Sequence, residues 1–163
     1  MDTSEFRDAM SRLGAAVSVI STDGSAGRFG FTATAVTSVT DTPPTLLVCM
    51  NRASYANPHF KQNGVLCVNV LAGDQGEIAA VFANSKISSD ERFARTTWET
   101  LKSGAPVMQE ALVNFDCRIA AVHEVGTHSL FLCEIDAIKQ GQQGSGLAYF
   151  NRAYHALHDG TKI

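Results

Sequence analysis

The chain has 163 residues, of which 45% are apolar and 18% charged, and a formal net charge of -3. This composition excludes intrinsic disorder, and the scattered Lys and Arg of a net-acidic chain argue against nucleic acid as a main partner. Length and composition suit one domain over residues 1–163, able to bury roughly 70% of its unfolded surface without staples.

The opening MDTSEFRDAM places three acids and an arginine in its first eight residues. That is not the apolar core of a secretory leader, and no apolar run reaches membrane-spanning length, so a cytoplasmic protein without a membrane partner is expected. Asp2 and Glu5 have capping-box spacing, and Phe6, Ala9, Met10 and Leu13 recur at helical spacing up to Gly14. AAVSVIST (15–22) reads as a strand, and the DGSAG turn (23–27) makes a hairpin between it and the Thr-rich segment.

Residues 30–44, GFTATAVTSVTDTPP, combine β-branched residues with small hydroxyls and alanines. An extended segment of this kind offers donors beside room for a planar ring, although a half-wet sheet edge has the same composition. TLLVCM (45–50) reads as a strand buried on both faces, residues 51–54 as a polar loop, and residues from Asn57 as a helix ended by Asn63 and Gly64. VLCVNVL (65–71) is another interior strand, residues 75–82 are helical, and residues 83–92 form a polar surface loop with a final turn near residues 90–93.

Between residues 113 and 121 apolar residues alternate with Asn114, Asp116 and Arg118, and the alternation repeats through Phe131, Cys133, Ile135 and Ala137. This pattern predicts a long antiparallel hairpin. A last strand over 146–150 then leads to RAYHAL and a fraying polar tail. About six strands joined by short turns, with few helices, predict a mainly β fold, a six-stranded antiparallel barrel. Cys49, Cys67, Cys117 and Cys133 stand singly in apolar runs, as reduced buried thiols do, and no metal site is expected.

Gly24, Gly27 and Gly30 lack dinucleotide-fingerprint spacing, and no P-loop or nucleophile elbow is present. Asn51, Arg52 and Ser54 lie between a strand and a helix, a candidate seat for phosphate, to which Lys86, Ser88, Ser89 and Arg92 could add charge-assisted bonds. A capped helix and a solvated loop are the alternative. Gly126, Thr127 and His128 fall at the hairpin turn, where the imidazole is either a site group or an exposed turn histidine. Arg152, Tyr154 and His155 form a second polar and aromatic cluster, equally compatible with a strand end.

Taken in order, FRDAM (6–10), GFTATAVTSVTDTPPTLLVC (30–49), NPHFKQNGVLCVNVL (57–71), ERF (91–93), GTH (126–128) and GLAYFNRAYHAL (146–157) make the chain similar to the short-chain flavin reductases, the small reductase components of two-component flavin monooxygenases. The resemblance implies an FMN-binding split β-barrel, usually a homodimer. It also implies oxidation of NADH or NADPH and delivery of reduced FMN or FAD to a separate monooxygenase. It places the flavin along Thr32, Ala33, Thr34, Ala35 and Ser38, its phosphate and ribityl chain at Asn51, Arg52 and Ser54, and the outer phosphate or adenylate at Ser88 and Arg92. His128 is implied as the nicotinamide-positioning residue, and Tyr154 and His155 as the closing cluster. The alternative on the same barrel is a non-catalytic FMN-binding electron carrier.

Overall fold

The computed structural model describes residues 2–158 and 160. In chain order the elements are α1 (Thr3–Ser11), β1 (Ala15–Ala16), β2 (Ser18–Thr22), β3 (Phe29–Ala33), β4 (Val36–Asp41), β5 (Pro44–Asn51), α2 (Asn57–Asn63) and β6 (Val65–Val70). They continue with α3 (Gly76–Ala83), α4 (Ser89–Phe93), β7 (Trp98–Thr100), β8 (Pro106–Met108), β9 (Val113–Val125), β10 (His128–Gln140), β11 (Gly146–Phe150) and β12 (Ala153–Leu157).

Seven strands form one antiparallel sheet in the order β3-β2-β6-β9-β10-β5-β4. Its two edge strands, β3 and β4, are consecutive in the chain, separated only by Thr34 and Ala35. Residues from both ends of the sheet, among them Ile20, Ala33, Val48, Val68 and Phe131, share one core with Phe60 of α2, so the sheet curls on itself as a barrel. The count is seven because the Thr-rich run is broken at Thr34 and Ala35, where the backbone turns from one edge to the other. Phe60 and Phe131 are fully buried, and each such side chain contributes roughly 1.5–3 kcal/mol of hydrophobic stabilisation.

Several local expectations are corrected. Residues 15–22 are not one strand, because the chain changes sheets at Val17. Ala15 and Ala16 pair with β11, whereas residues from Ser18 pair with β3 and β6. The strand 45–50 is not buried on both faces. Leu46, Val48 and Met50 point into the core, while Leu47 and Cys49 stay half-exposed outside. The polar face of β9 is only partly wet: Arg118 is exposed, but Asn114 and Asp116 are fully buried beneath the β7–β8 hairpin. Ser103 donates to Asp116 from its amide (2.7 Å) and its hydroxyl, and Asn114 donates to Asn69 Oδ1 (2.8 Å) and the Met108 carbonyl (3.0 Å). Buried polar groups persist in a fold when they are bonded in this way.

The helix termini also differ from expectation. Asp2 caps α1 without a side-chain hydrogen bond, so the residue-2 capping box does not form. A capping box does form at Ser88 and Glu91, at the start of α4. Gly64, at φ +70°, ends α2 in the left-handed conformation as expected. AYHAL continues as β12, joined to β11 by a tight turn in which Asn151 and Arg152 both have positive φ. That turn is fastened to α1 by an Arg152–Asp8 ion pair and by the Asn151 amide donating to the Ser11 carbonyl. Most of the tail expected to fray lies outside the described residues.

Candidate functional site

The register of β5 against β10 sets Asn51 opposite His128 and Cys49 opposite Leu130. The Cys49 amide donates to the Ala35 carbonyl (3.0 Å), so the break between β3 and β4 lies alongside the same strand. Ala35, Asn51 and His128 are all exposed. The two hairpin-forming stretches and the small-residue break thus meet on one shelf at the barrel rim, although they are far apart in sequence.

The turn that carries His128 is narrow because Gly126 takes φ +54° at its first position, a conformation that glycine adopts without steric cost. Thr127 Oγ1 lies 2.9 Å from His128 Nδ1, which steadies the ring. Arg52 clamps the turn to the 51–54 loop. Its amide donates to the Thr127 carbonyl (2.9 Å), its Nη1 to the Gly126 carbonyl (3.1 Å), and its Nε pairs with Glu124 (3.1 Å). Glu124 also accepts from Lys61 Nζ (2.6 Å) and Ser129 Oγ (2.9 Å). These hydrogen bonds, from Lys61 first and then Ser129, hold its carboxyl below the ordinary glutamate range. Asn57 Nδ2 completes the network by donating to Ser129 Oγ (3.1 Å).

On the 51–54 loop, Asn51 Oδ1 accepts from the Ala53 amide (2.9 Å), a side-chain turn that orders the loop. Among the described residues, the hydroxyls of Thr34, Ser38 and Ser54 have no partner within the chain, whereas Thr32 Oγ1 donates to the Ala79 carbonyl on α3 (2.6 Å). Ala33 points into the core. Hydroxyls and a carboxamide beside a bare alanine are the donor set that a planar heterocycle with a polar, phosphorylated tail requires.

Other residues singled out by the sequence have structural partners or lie elsewhere. Ser88 is held in its capping box with Glu91. Arg92 directs its three nitrogens at the carbonyls of Ile87 (3.0 Å), Gly30 (2.8 Å) and Asn84 (2.6 Å), which fastens the 84–88 loop to β3. Lys86 is exposed. Tyr154 and His155 sit on β12 in the three-stranded sheet β1-β11-β12, Tyr154 against Tyr149 and His155 Nε2 3.1 Å from the Phe150 carbonyl. Burial, and secondarily Tyr149, raises the pKa of Tyr154. No hydrogen bond or aromatic contact among the described residues joins this cluster to His128.

Burial raises the thiol pKa values of Cys67, Cys117 and Cys133, the last to about 12, so these cysteines stay protonated and are poor nucleophiles. Clefts of about 850, 640 and 620 Å³ lie beside α3, against the outer sheet, and along β4. The second includes His155 and the third Ser38, but none includes Ala35, Asn51, Arg52 or His128. With Ala35, Asn51 and His128 exposed, the shelf is open within one chain. Glu124, Ser129, Asn57 and Lys61 are not expected from sequence, because Glu124 and Ser129 meet only through the β9–β10 register and Asn57 and Lys61 reach them only through the packing of α2.

A family profile described as flavin reductase like domain matches residues 10–158. The chain is 52% identical over 157 residues to the FMN reductase (NADH) RutF of Escherichia coli K12, covering 96% of this chain and 95% of that protein. The ycdH protein of Haemophilus somnus 129PT superposes with a TM-score of 0.93 at 46% identity, covering 96% of this chain and all of that one. BorF, the flavin reductase component of a bacterial two-component tryptophan halogenase, superposes with a TM-score of 0.90 at 28% identity, covering 97% and 99% of the two chains.

Proposed function

Because the chain belongs to the flavin reductase like family, we propose that it is an NADH-dependent flavin reductase, reducing FMN or FAD and supplying the reduced flavin to a separate flavin-dependent monooxygenase. The observation that carries this reading is the shared shelf on which Ala35, Asn51 and His128 meet. The name of RutF favours NADH over NADPH and FMN over FAD. BorF, a component of a two-component system, supports delivery to a partner enzyme. Among the described residues no helix is long and apolar enough to cross a membrane, and the proposed setting is the cytoplasm.

A bound flavin would supply the hydride acceptor, and the protein's part is binding, orientation and electrostatics. Thr34 and Ala35 give a floor without bulk, and the backbone around them supplies amide dipoles toward the ring edge. Asn51 and Ser54 hold the polar tail. Arg52, already paired with Glu124, acts mainly by fixing the Gly126–Thr127 turn to that loop. His128 orients the nicotinamide carboxamide so that the donor ring stacks on the acceptor, and orientation of this kind removes several kcal/mol from a bimolecular barrier. Ser88 and Arg92 act through the shape of the 84–92 loop that borders the site. Tyr154 and His155 would join the site only from a second copy.

Flavin-dependent NADH oxidation tests the reading. NADH consumption should be negligible without added flavin and should saturate with FMN. NADH oxidation that remains absent with either flavin would favour the electron-carrier alternative.

The open shelf and the half-exposed outer residues Leu47, Cys49, Leu130 and Leu132 on β5 and β10 support a homodimer in which a second copy covers this face. Sedimentation should show a dimer at micromolar concentration. A fully active monomer would refute it.

A further inference from the structure

Three aromatic rings lie together beside the proposed flavin site: Phe29 also packs against the barrel core, His59 is half-buried, and Tyr55 is exposed and belongs to neither the core nor the shelf. Phe29 opens β3, Tyr55 directly follows the 51–54 loop, and His59 stands on α2. The ring centroids of Phe29 and His59 are 4.1 Å apart, those of Tyr55 and His59 4.9 Å, and those of Phe29 and Tyr55 5.9 Å. His59 Nδ1 lies 2.9 Å from the Tyr55 carbonyl, so the imidazole is locked to the loop. Tyr55 is nevertheless 78% exposed, the largest value among the bulky apolar side chains. An exposed aromatic presented on a fixed base leaves a π-face open to a ligand.

The position of the cluster restricts what that ligand can be. One side adjoins the loop of Asn51 and Ser54, where the polar tail of a flavin is proposed to sit, and neighbouring Cα atoms are only about 3.8 Å apart. The other side adjoins α4 and its preceding loop. Ser89 Oγ donates to the Arg28 carbonyl, and Arg92 Nη1 to the Gly30 carbonyl, on either side of Phe29. The cations of this border are Arg28, whose guanidinium lies 4.8 Å from the centroid of the Phe93 ring, and the exposed Lys86. Aromatic faces next to cationic, hydroxyl-bearing loops suit a base attached through a pyrophosphate.

We propose that Phe29, Tyr55 and His59 form a stacking site for a purine base, the adenine of a dinucleotide whose flavin or nicotinamide end occupies the shelf. This rests on the flavin reductase reading. Stacking uses the face of a base and needs no base-specific hydrogen bond, which fits a site made of ring faces. FAD and NADH both carry the adenine, and each can be compared with a partner that lacks it.

The test uses Tyr55→Ala and Tyr55→Phe, neither of which disturbs a buried side chain. Flavin fluorescence titration gives Kd for FAD and for FMN, and steady-state kinetics with FMN as acceptor give KM for NADH and for reduced nicotinamide mononucleotide. If the site takes the flavin's adenine, Tyr55→Ala weakens FAD about tenfold and leaves FMN unchanged. If it takes the adenine of NADH, the KM for NADH rises about tenfold and that for the mononucleotide does not. In either case Tyr55→Phe, which keeps the ring, behaves as the unmodified protein. Unchanged FAD and NADH values, or equal losses for the ligands with and without adenine, would overturn the stacking site. An unmodified protein that binds neither flavin would instead overturn the flavin reductase reading, and this site with it.

Discussion

Ala35→Phe is expected to raise the flavin Kd by about 10- to 100-fold while leaving the fold intact. Ala35 is exposed, and its part in the fold is its backbone carbonyl, which accepts from the Cys49 amide (3.0 Å) and is retained in the variant. The added ring would occupy the floor on which the heterocycle lies. Forcing extra bulk into a packed contact costs about 1–3 kcal/mol, and each 1.4 kcal/mol is tenfold in affinity. The urea midpoint serves as the control, because an exposed substitution usually changes stability by no more than about 0.5 kcal/mol. Unchanged flavin affinity would move the ring elsewhere, with the cleft beside α3 as the first place to look.

His128→Ala is expected to lower kcat/KM for NADH by about 100-fold, through a raised KM and a fall in kcat, with the FMN Kd changed less than about twofold. A misplacement on the order of 1 Å can cost this much when orientation supplies the rate. His128 is well placed to orient a ligand. It begins β10 opposite Asn51, its Nδ1 is steadied by Thr127, and its turn is clamped by Arg52. An exposed turn histidine with no ligand predicts no change in either constant. In that event the nicotinamide contacts should be sought around Arg152, Tyr154 and His155.

The parts of the fold governed by local pattern are legible in the sequence. The apolar alternation of 113–121 and 131–137 appears as the β9–β10 hairpin, and Asn57, Pro58 and Gly64 bound α2. Alternation, however, reports a period and not what covers each face. Asn114 and Asp116 look solvent-facing in sequence and are buried, because the β7–β8 hairpin folds over them; Ser103 bonds Asp116, and Asn114 Nδ2 bonds Asn69 and the Met108 carbonyl, while Asn114 Oδ1 has no partner among the described residues. The sheet change at Val17 leaves no local trace either, since a strand that passes from one sheet to another keeps its strand composition.

Within the site, Asn51 and His128 each stand out by residue type, and their meeting depends on a strand register that no short window encodes. Arg92 and Ser88 show the reverse case. Their residue types suit phosphate, yet the loop's own carbonyls and Glu91 engage them. Glu124 escapes sequence reasoning for a related cause, because a glutamate near a hairpin turn is ordinary until Arg52, Lys61 and Ser129 are seen to converge on it.

The proposed function requires that this chain bring a reduced nicotinamide and a flavin together for hydride transfer. Anaerobic stopped-flow mixing of the flavin-loaded protein with NADH measures that event directly. Flavin absorbance should bleach in a single phase whose rate saturates with NADH concentration and falls sharply in His128→Ala. Flavin that binds to the protein yet stays oxidised at every NADH concentration would contradict the assignment.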